Sequence, residues 1–370
     1  KDRVVAARSN PDEGGSSSRT SPQSTLPSTN GVSPPATGQA GPEIVLKPIK
    51  VFLTDSNQRG PRLSLSPDGS LAITIIEGCH LWDTATGKEL PWKDPETAKN
   101  MKKCEGNAVY WPDGSHIWVS DFPRGIRAVN MMTHKMEEDV IPTESYSGWV
   151  LRLSPEMKSI ATARVLYDVS TKRPIFEFKE QGDQGEVDFG HDGKTMITRG
   201  EEGRTGGFKG ISLWNLETQK VAHTVDFKED TDFLANQFLA CSPTANVFAV
   251  RNKTGNDSVV EIRDLESTEV KATFGKGWKL TGGSLTWSPD GKFLTVAVSR
   301  ELPDGFTTVN EVWLLEAASG KPVARLEPAR DEVERVAFSG DGSKLAILAP
   351  NPQKDHKMDL MLWDLTQLPK

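Results

Sequence analysis

Cysteine is scarce in this 370-residue chain: Cys79, Cys104 and Cys241 are odd in number and far apart. Neither a disulfide framework nor a paired metal-ligand spacing can be built from them, and they leave the redox compartment open. Long apolar runs are missing too, for none approaches the roughly 18 to 20 residues of a membrane-spanning helix. Positive charge is not in excess. The formal net charge is -7, which argues against a general binder of nucleic acid or anionic membranes, since either needs a basic face. The six histidines, His80, His116, His134, His191, His223 and His356, are scattered, with no two at a metal-ligand spacing. No Gly-Xaa-Ser-Xaa-Gly elbow, phosphate-binding loop or dinucleotide fingerprint is present. The Gly-rich stretch 201–210, "EEGRTGGFKG", lies between two expected strands and opens no helix, so it reads as a loop. These absences lead us to expect no catalytic residue, no metal and no cofactor.

What is present divides the chain in two. From Ser9 to Pro42, 23 of 34 residues are Ser, Thr, Pro or Gly. Such a stretch has too little apolar surface to offset the entropy of ordering it. Residues 1–42 are therefore expected to be a disordered tether, and 43–370 the folded part. The chain begins with Lys1 rather than Met, from which we expect an upstream signal, anchor or domain. The compartment is not legible.

Within 43–370 one turn recurs seven times: Ser66-Pro67-Asp68-Gly69, Trp111-Pro112-Asp113-Gly114, Ser154-Pro155-Glu156-Met157, Gly190-His191-Asp192-Gly193, Ser242-Pro243-Thr244-Ala245, Ser288-Pro289-Asp290-Gly291 and Ser339-Gly340-Asp341-Gly342. Their third positions lie 36 to 52 residues apart, the spacing of four-stranded blades. A β-rich run and a second signature follow each turn: "LWDTATGK" from Leu81, "AVNMMTHK" from Ala128, "LYDVSTKR" from Leu166, "LWNLETQK" from Leu213, "IRDLESTE" from Ile262, "VWLLEAASGK" from Val312 and "LWDLTQ" from Leu362. In the sixth unit, Pro289 presets φ for the turn and Gly291 supplies a positive φ. Runs of Val, Ile, Leu and aromatics between turns, without a long amphipathic helix, describe an all-β chain.

A single four-stranded sheet leaves both faces bare and two edges unpaired. Seven sheets packed face to face around an axis bury the faces. The expected fold is an all-β, seven-bladed β-propeller of four-stranded antiparallel blades. The last unit ends before a fourth strand, and Glu43–Leu53 precedes the first complete unit. We therefore expect this N-terminal strand to pair beside 358–364 in the C-terminal blade and close the ring.

The turn-and-tail pairs resemble the WD40-repeat family over roughly 43–370. Leu81-Trp82-Asp83 and Leu362-Trp363-Asp364 match best. Val129, Tyr167 and Arg263 stand where the family has Trp, and Leu314 where it has Asp. The Gly-His pair that opens such repeats is missing, so the family's His-Asp-Ser-Trp network is not expected in its usual form. A related propeller group, TolB-like, shares the Ser-Pro-Asp-Gly turn without the tail. Trp82, Trp214, Trp313 and Trp363, with Asp83 and Asp364, are expected to be structural, and the turn aspartates to cap their own turns.

The resemblance implies that the Pro-Asp-Gly and Thr-Gly-Lys turns share one face and the remaining connections the other. The second set is long and irregular, and such loops on a rigid scaffold carry binding sites. The partner-binding candidates there are Phe122, Arg124, Tyr146, Phe208, Trp278 and Phe306, because aromatics and Arg anchor interfaces. The expectation is a non-catalytic scaffold or docking module, a monomeric propeller binding a protein or peptide of unknown identity. Two other classes stand beside it: a propeller hydrolase, or a binder of a small ligand in the central channel. The first strands read "RLSLS", "NAVYW", "WVLRLS", "GEVDFG", "NQFLACS", "GSLTWS" and "ERVAFS", with Glu186, Asp188 and Glu334 their only acids.

Overall fold

The computed structural model describes residues 44–55, 62–104, 106–121, 125–143, 150–178, 186–201, 208–226, 239–254, 257–301, 308–330, 332–354 and 357–368. The expected tether lies outside them. The described residues form seven antiparallel sheets of four strands, one of which carries a fifth. In chain order the blades begin at Arg62, Ala108, Arg152, Val187, Leu239, Lys279 and Arg335, and their first strands stand around the axis. The chain is a seven-bladed β-propeller.

There is no single core. Seven apolar clusters fill the seven seams between neighbouring blades. Period-2 alternation sends successive side chains to opposite faces, so each strand feeds two seams. In the second strand of blade 1, Ile73 and Ile75 enter the seam with blade 2, whereas Ala72 enters the seam with blade 7.

The repeated turn explains its own composition. Ser66 Oγ donates to Asp68 Oδ1 at 2.6 Å, and the Ser70 amide donates to the same oxygen at 3.0 Å. The Leu71 amide then donates to Ser66 Oγ at 2.9 Å, and Gly69 takes a φ of +65°. Blades 6 and 7 repeat this pattern with Ser288/Asp290 and Ser339/Asp341. Asp113 and Asp192 likewise accept from amides of their own turns.

Closure is tighter than the sequence suggests. β1 (Ile44–Leu46) and β2 (Lys50–Asp55) part company. β2 pairs antiparallel with Lys357–Asp364 and supplies the missing outer strand of blade 7, as expected. β1 instead runs parallel to Pro322–Arg330 as a fifth strand of blade 6. Leu46 is buried in the seam between blades 6 and 7, and its carbonyl accepts from Trp363 Nε1 at 3.1 Å. Phe52, 5% exposed, stacks on Trp82 of blade 1 with ring centroids 6.4 Å apart. Gly87 has a φ of +76°, and a Cβ there would lie 2.5 Å from Phe52 Cε1. Twelve residues thus join blades 6, 7 and 1.

Among the described residues, one helix interrupts the all-β pattern. α1 (Pro95–Met101) fills the connection between blades 1 and 2, where the outer strand of blade 1 is only Lys88–Leu90. Asp94 caps it by accepting from the Thr97 amide, and Pro95 opens its first turn. Thr97 Oγ1 accepts from the Met136 amide on blade 2, and Met101 and Cys104 enter the seam core. Beside its start, His134 is 5% exposed at a φ of +59°, its Nδ1 accepts from the Lys93 amide, and its ring meets Trp92 edge-on. Burial, then the Lys93 charge, pulls its pKa below 6.5.

Two predictions follow from this packing. Phe52→Ala removes the aromatic that joins β2 to blade 1 and should lower unfolding free energy by about 3–5 kcal/mol in urea titrations. Because the His134 pKa is lower folded than unfolded, its contribution is present above pH 6.5 and is lost as pH falls below that value. His134→Asn keeps a residue that tolerates the positive φ, and should lose less stability than the wild type between pH 7.5 and 5.

Candidate functional site

The signature tryptophans of the tails lie in the seams, and the aspartates in the turns that follow. Trp82 Nε1 donates to Thr74 Oγ1 at 2.9 Å and Trp214 Nε1 to Thr198 Oγ1 at 2.8 Å, with both threonines fully buried. Asp83 accepts from the Thr86 amide and Asp364 from the Thr366 amide. The indoles and the carboxylates are therefore satisfied separately. Arg263, in place of Trp, is held by Glu261: Nε reaches Oε2 at 2.7 Å, and Oε1 accepts from Asn252.

The sixth tail departs from its expected register. Leu315 pairs with Leu294 as Trp82 pairs with Ala72, and Glu316 closes the turn as Asp83 does. Trp313 therefore stands two residues before the usual Trp place, and Leu314 is not at the Asp place. Trp313 Nε1 donates to buried Glu311, which also receives Arg325 at 3.2 Å.

Of the loop-face candidates, Phe122, Arg124, Tyr146 and Phe306 lie outside the described residues. Phe208 opens the third strand of blade 4, its side chain also outside them. Trp278 is half-buried between blades 5 and 6 and meets Trp313 edge-on at 5.3 Å. Of the six, only the Trp278 side chain lies among the described residues.

The structure brings a different set to the axis. Counting back from each turn, Arg62, Glu186 and Arg335 stand four residues before Ser66, Gly190 and Ser339, and Arg152 and Asp188 two residues before Ser154 and Gly190. First strands end at the regular turns, so these residues sit toward the opposite end of the channel, the end that carries the irregular connections. Five residues from blades 1, 3, 4 and 7 thus form two levels near one mouth.

Their charges act on one another across the axis. The Arg62 pKa is drawn down to about 9 by burial first, then by Arg335 and Arg152, with Glu334 opposing. Arg335, 6% exposed, is drawn down to about 10 by burial, while Glu334 and Glu186 oppose and Arg152 adds to the fall. Both stay protonated at neutral pH. Burial raises Asp188, although Arg152 and two amides hold its charged form: Cys241 donates at 2.8 Å and Phe189 at 3.0 Å. Burial and Glu332 raise Glu334. Arg152 gives Nη1 to the Leu151 carbonyl at 3.1 Å, and Arg335 gives Nη1 to that of Glu334 at 2.6 Å. Such a cluster can hold an anion or a charged peptide group by charge-assisted hydrogen bonds.

The sequence had already offered the acids. The three arginines were visible in the same strands, and the missing signal was their common distance from the turns. Among the described residues, no group of three His, Cys, Asp or Glu is placed to hold a metal ion, and no described helix is long and apolar enough to cross a membrane. No protein-family model matches the chain, and no curated protein matches it.

Removing one partner of the blade 5 pair tests the tail assignment. Glu261→Ala strands a largely buried guanidinium and should cost about 2–4 kcal/mol, below full burial because the side chains keep 11% and 16% exposure. Glu261→Met/Arg263→Met should recover most of that in the same denaturation assay.

Proposed function

We propose that the chain is a non-catalytic docking propeller of the WD40 type, taking a protein or peptide on the face that bears its irregular connections. The contrast between the two faces carries this reading. On the regular face the carboxylates and hydroxyls are engaged in their own turns. Neighbouring turns also interlock there: the Asp341 amide donates to the Pro67 carbonyl at 2.8 Å, and Lys344 Nζ to that of Gly69 at 2.9 Å. The opposite face carries connections of unequal length around a charged mouth, on a frame made rigid by seven packed seams. Rigid frames with variable loops suit recognition. The axial acids favour binding over hydrolysis: Asp188 is held by two amides and Arg152, and Glu334 and Glu186 face Arg335.

The test is affinity capture with the full chain, followed by lysine cross-linking of captured partners. Cross-links should concentrate on exposed Lys102, Lys103 and Lys276, which lie in connections between blades. Reversing those charges should weaken capture severalfold. Cross-links gathered instead on Lys194 and Lys321, beside the regular turns, or no saturable partner, would refute the assignment.

A further inference from the structure

We propose that a cleft between blades 6 and 7, on the face of the regular turns, takes a lysine side chain from a protein or peptide. It lies opposite the irregular face and does not rest on the docking function proposed above.

The ring supplies its own template for this. Between blades 7 and 1 the notch beside the turn is filled by Lys344, whose Nζ donates to the Gly69 carbonyl at 2.9 Å. Thr84 Oγ1 gives the same carbonyl a second bond at 2.7 Å, and Gly69 is buried beneath them. One blade back, Phe293 stands where Lys344 does, five residues after the turn serine. Gly342 takes the place of Gly69, and Leu365 that of Thr84: the Leu365 amide donates to Ser343 as the Thr84 amide donates to Ser70. Hydrocarbon therefore replaces both side-chain donors. Among the described residues no donor reaches the Gly342 carbonyl, and Gly342 is half-buried.

The result is a cleft of about 160 Å³. Phe293, Phe338, Leu365 and Leu368 give it apolar walls, and Asp290 and Asp341 add two carboxylates. Lys292 Nζ lies 3.4 Å from Asp290 Oδ2 and answers that charge. Asp341, among the described residues, receives hydroxyls and one amide but no cation. An occupant that satisfies the whole cleft must bring an apolar stem for its walls and a cationic donor for Asp341 and the open carbonyl. Lysine combines a compact ammonium with a flexible hydrocarbon stem, and Lys344 already does this in the neighbouring notch.

The experiment is saturation-transfer difference NMR on the full chain, with Nα-acetyl-lysine methylamide as the probe. The lysine methylenes should give a saturable signal. The Nε-acetylated probe keeps the stem but loses the charge, and should give none. Phe293→Lys fills the notch from within, as Lys344 does next door, and should abolish the signal. Leu365→Thr returns the missing hydroxyl to the Gly342 carbonyl and should weaken binding severalfold. Far-UV circular dichroism checks that both variants are folded, and if Phe293→Lys is not, Leu365→Thr decides.

The assignment fails if the acetylated probe matches the charged one, which is the behaviour of a merely apolar crevice. It also fails if folded Phe293→Lys, or Leu365→Thr in its place, keeps the wild-type signal. Binding of n-butylamine without binding of the peptide Gly-Gly-Lys-Gly-Gly would make the site one for free amines and overturn the peptide source. Docking on the irregular face stands or falls separately, on its own cross-links.

Discussion

Everything in this molecule depends on pairing between β2 and the strand Lys357–Asp364. Each blade is covered by its neighbours, so a gap at any seam would expose two apolar faces at once. Six seams join blades that follow each other in the chain. The seventh must be made by residues about 300 positions apart, and it carries the most elaborate fastening. A six-residue ladder, the Phe52–Trp82 stack and the interlocked turns at Pro67 and Asp341 act there, and the Trp363–Leu46 bond ties the same segment into the neighbouring seam of blades 6 and 7.

The same closure creates the axial site. Within one blade, a single Arg at the start of a first strand is an ordinary half-buried charge. Brought together by the ring, three of them act on one another and on the acids Glu186, Asp188 and Glu334 beside them. Apolar alternation therefore fills the seams, and charges of both signs gather on the axis.

Much of this was legible in the sequence because turn chemistry is local. Ser66, Asp68 and Gly69 satisfy one another within five residues, so their recurrence counted the blades. The signal failed where placement depends on distant partners. In the sixth tail, Trp313 drew the register two residues early, because an indole in a seam is recognisable whereas Leu315 in the proper place is not. α1 carried its marks openly in Asp94-Pro95-Glu96, yet seven residues inside an irregular connection do not show helical periodicity. β1 looked like the start of one closing strand, and its parallel addition to blade 6 follows from the break at Lys47-Pro48, where Pro lacks an amide for a ladder. The arginines were overlooked because a charge at a strand end reads as solvated until the ring sets it opposite others.

The latch has a further consequence for how the molecule comes into being. Thr54 and Met358, partners in the finished ring, are separated by 304 positions. A ribosome releases the first long before it makes the second. Until then the edge of β2 has no native mate, and the apolar flank that will receive Phe52 stays uncovered. Nascent chains of this kind wait with an open β edge, the state most exposed to wrong pairing. Once Lys357–Asp364 pairs with β2, that edge is covered.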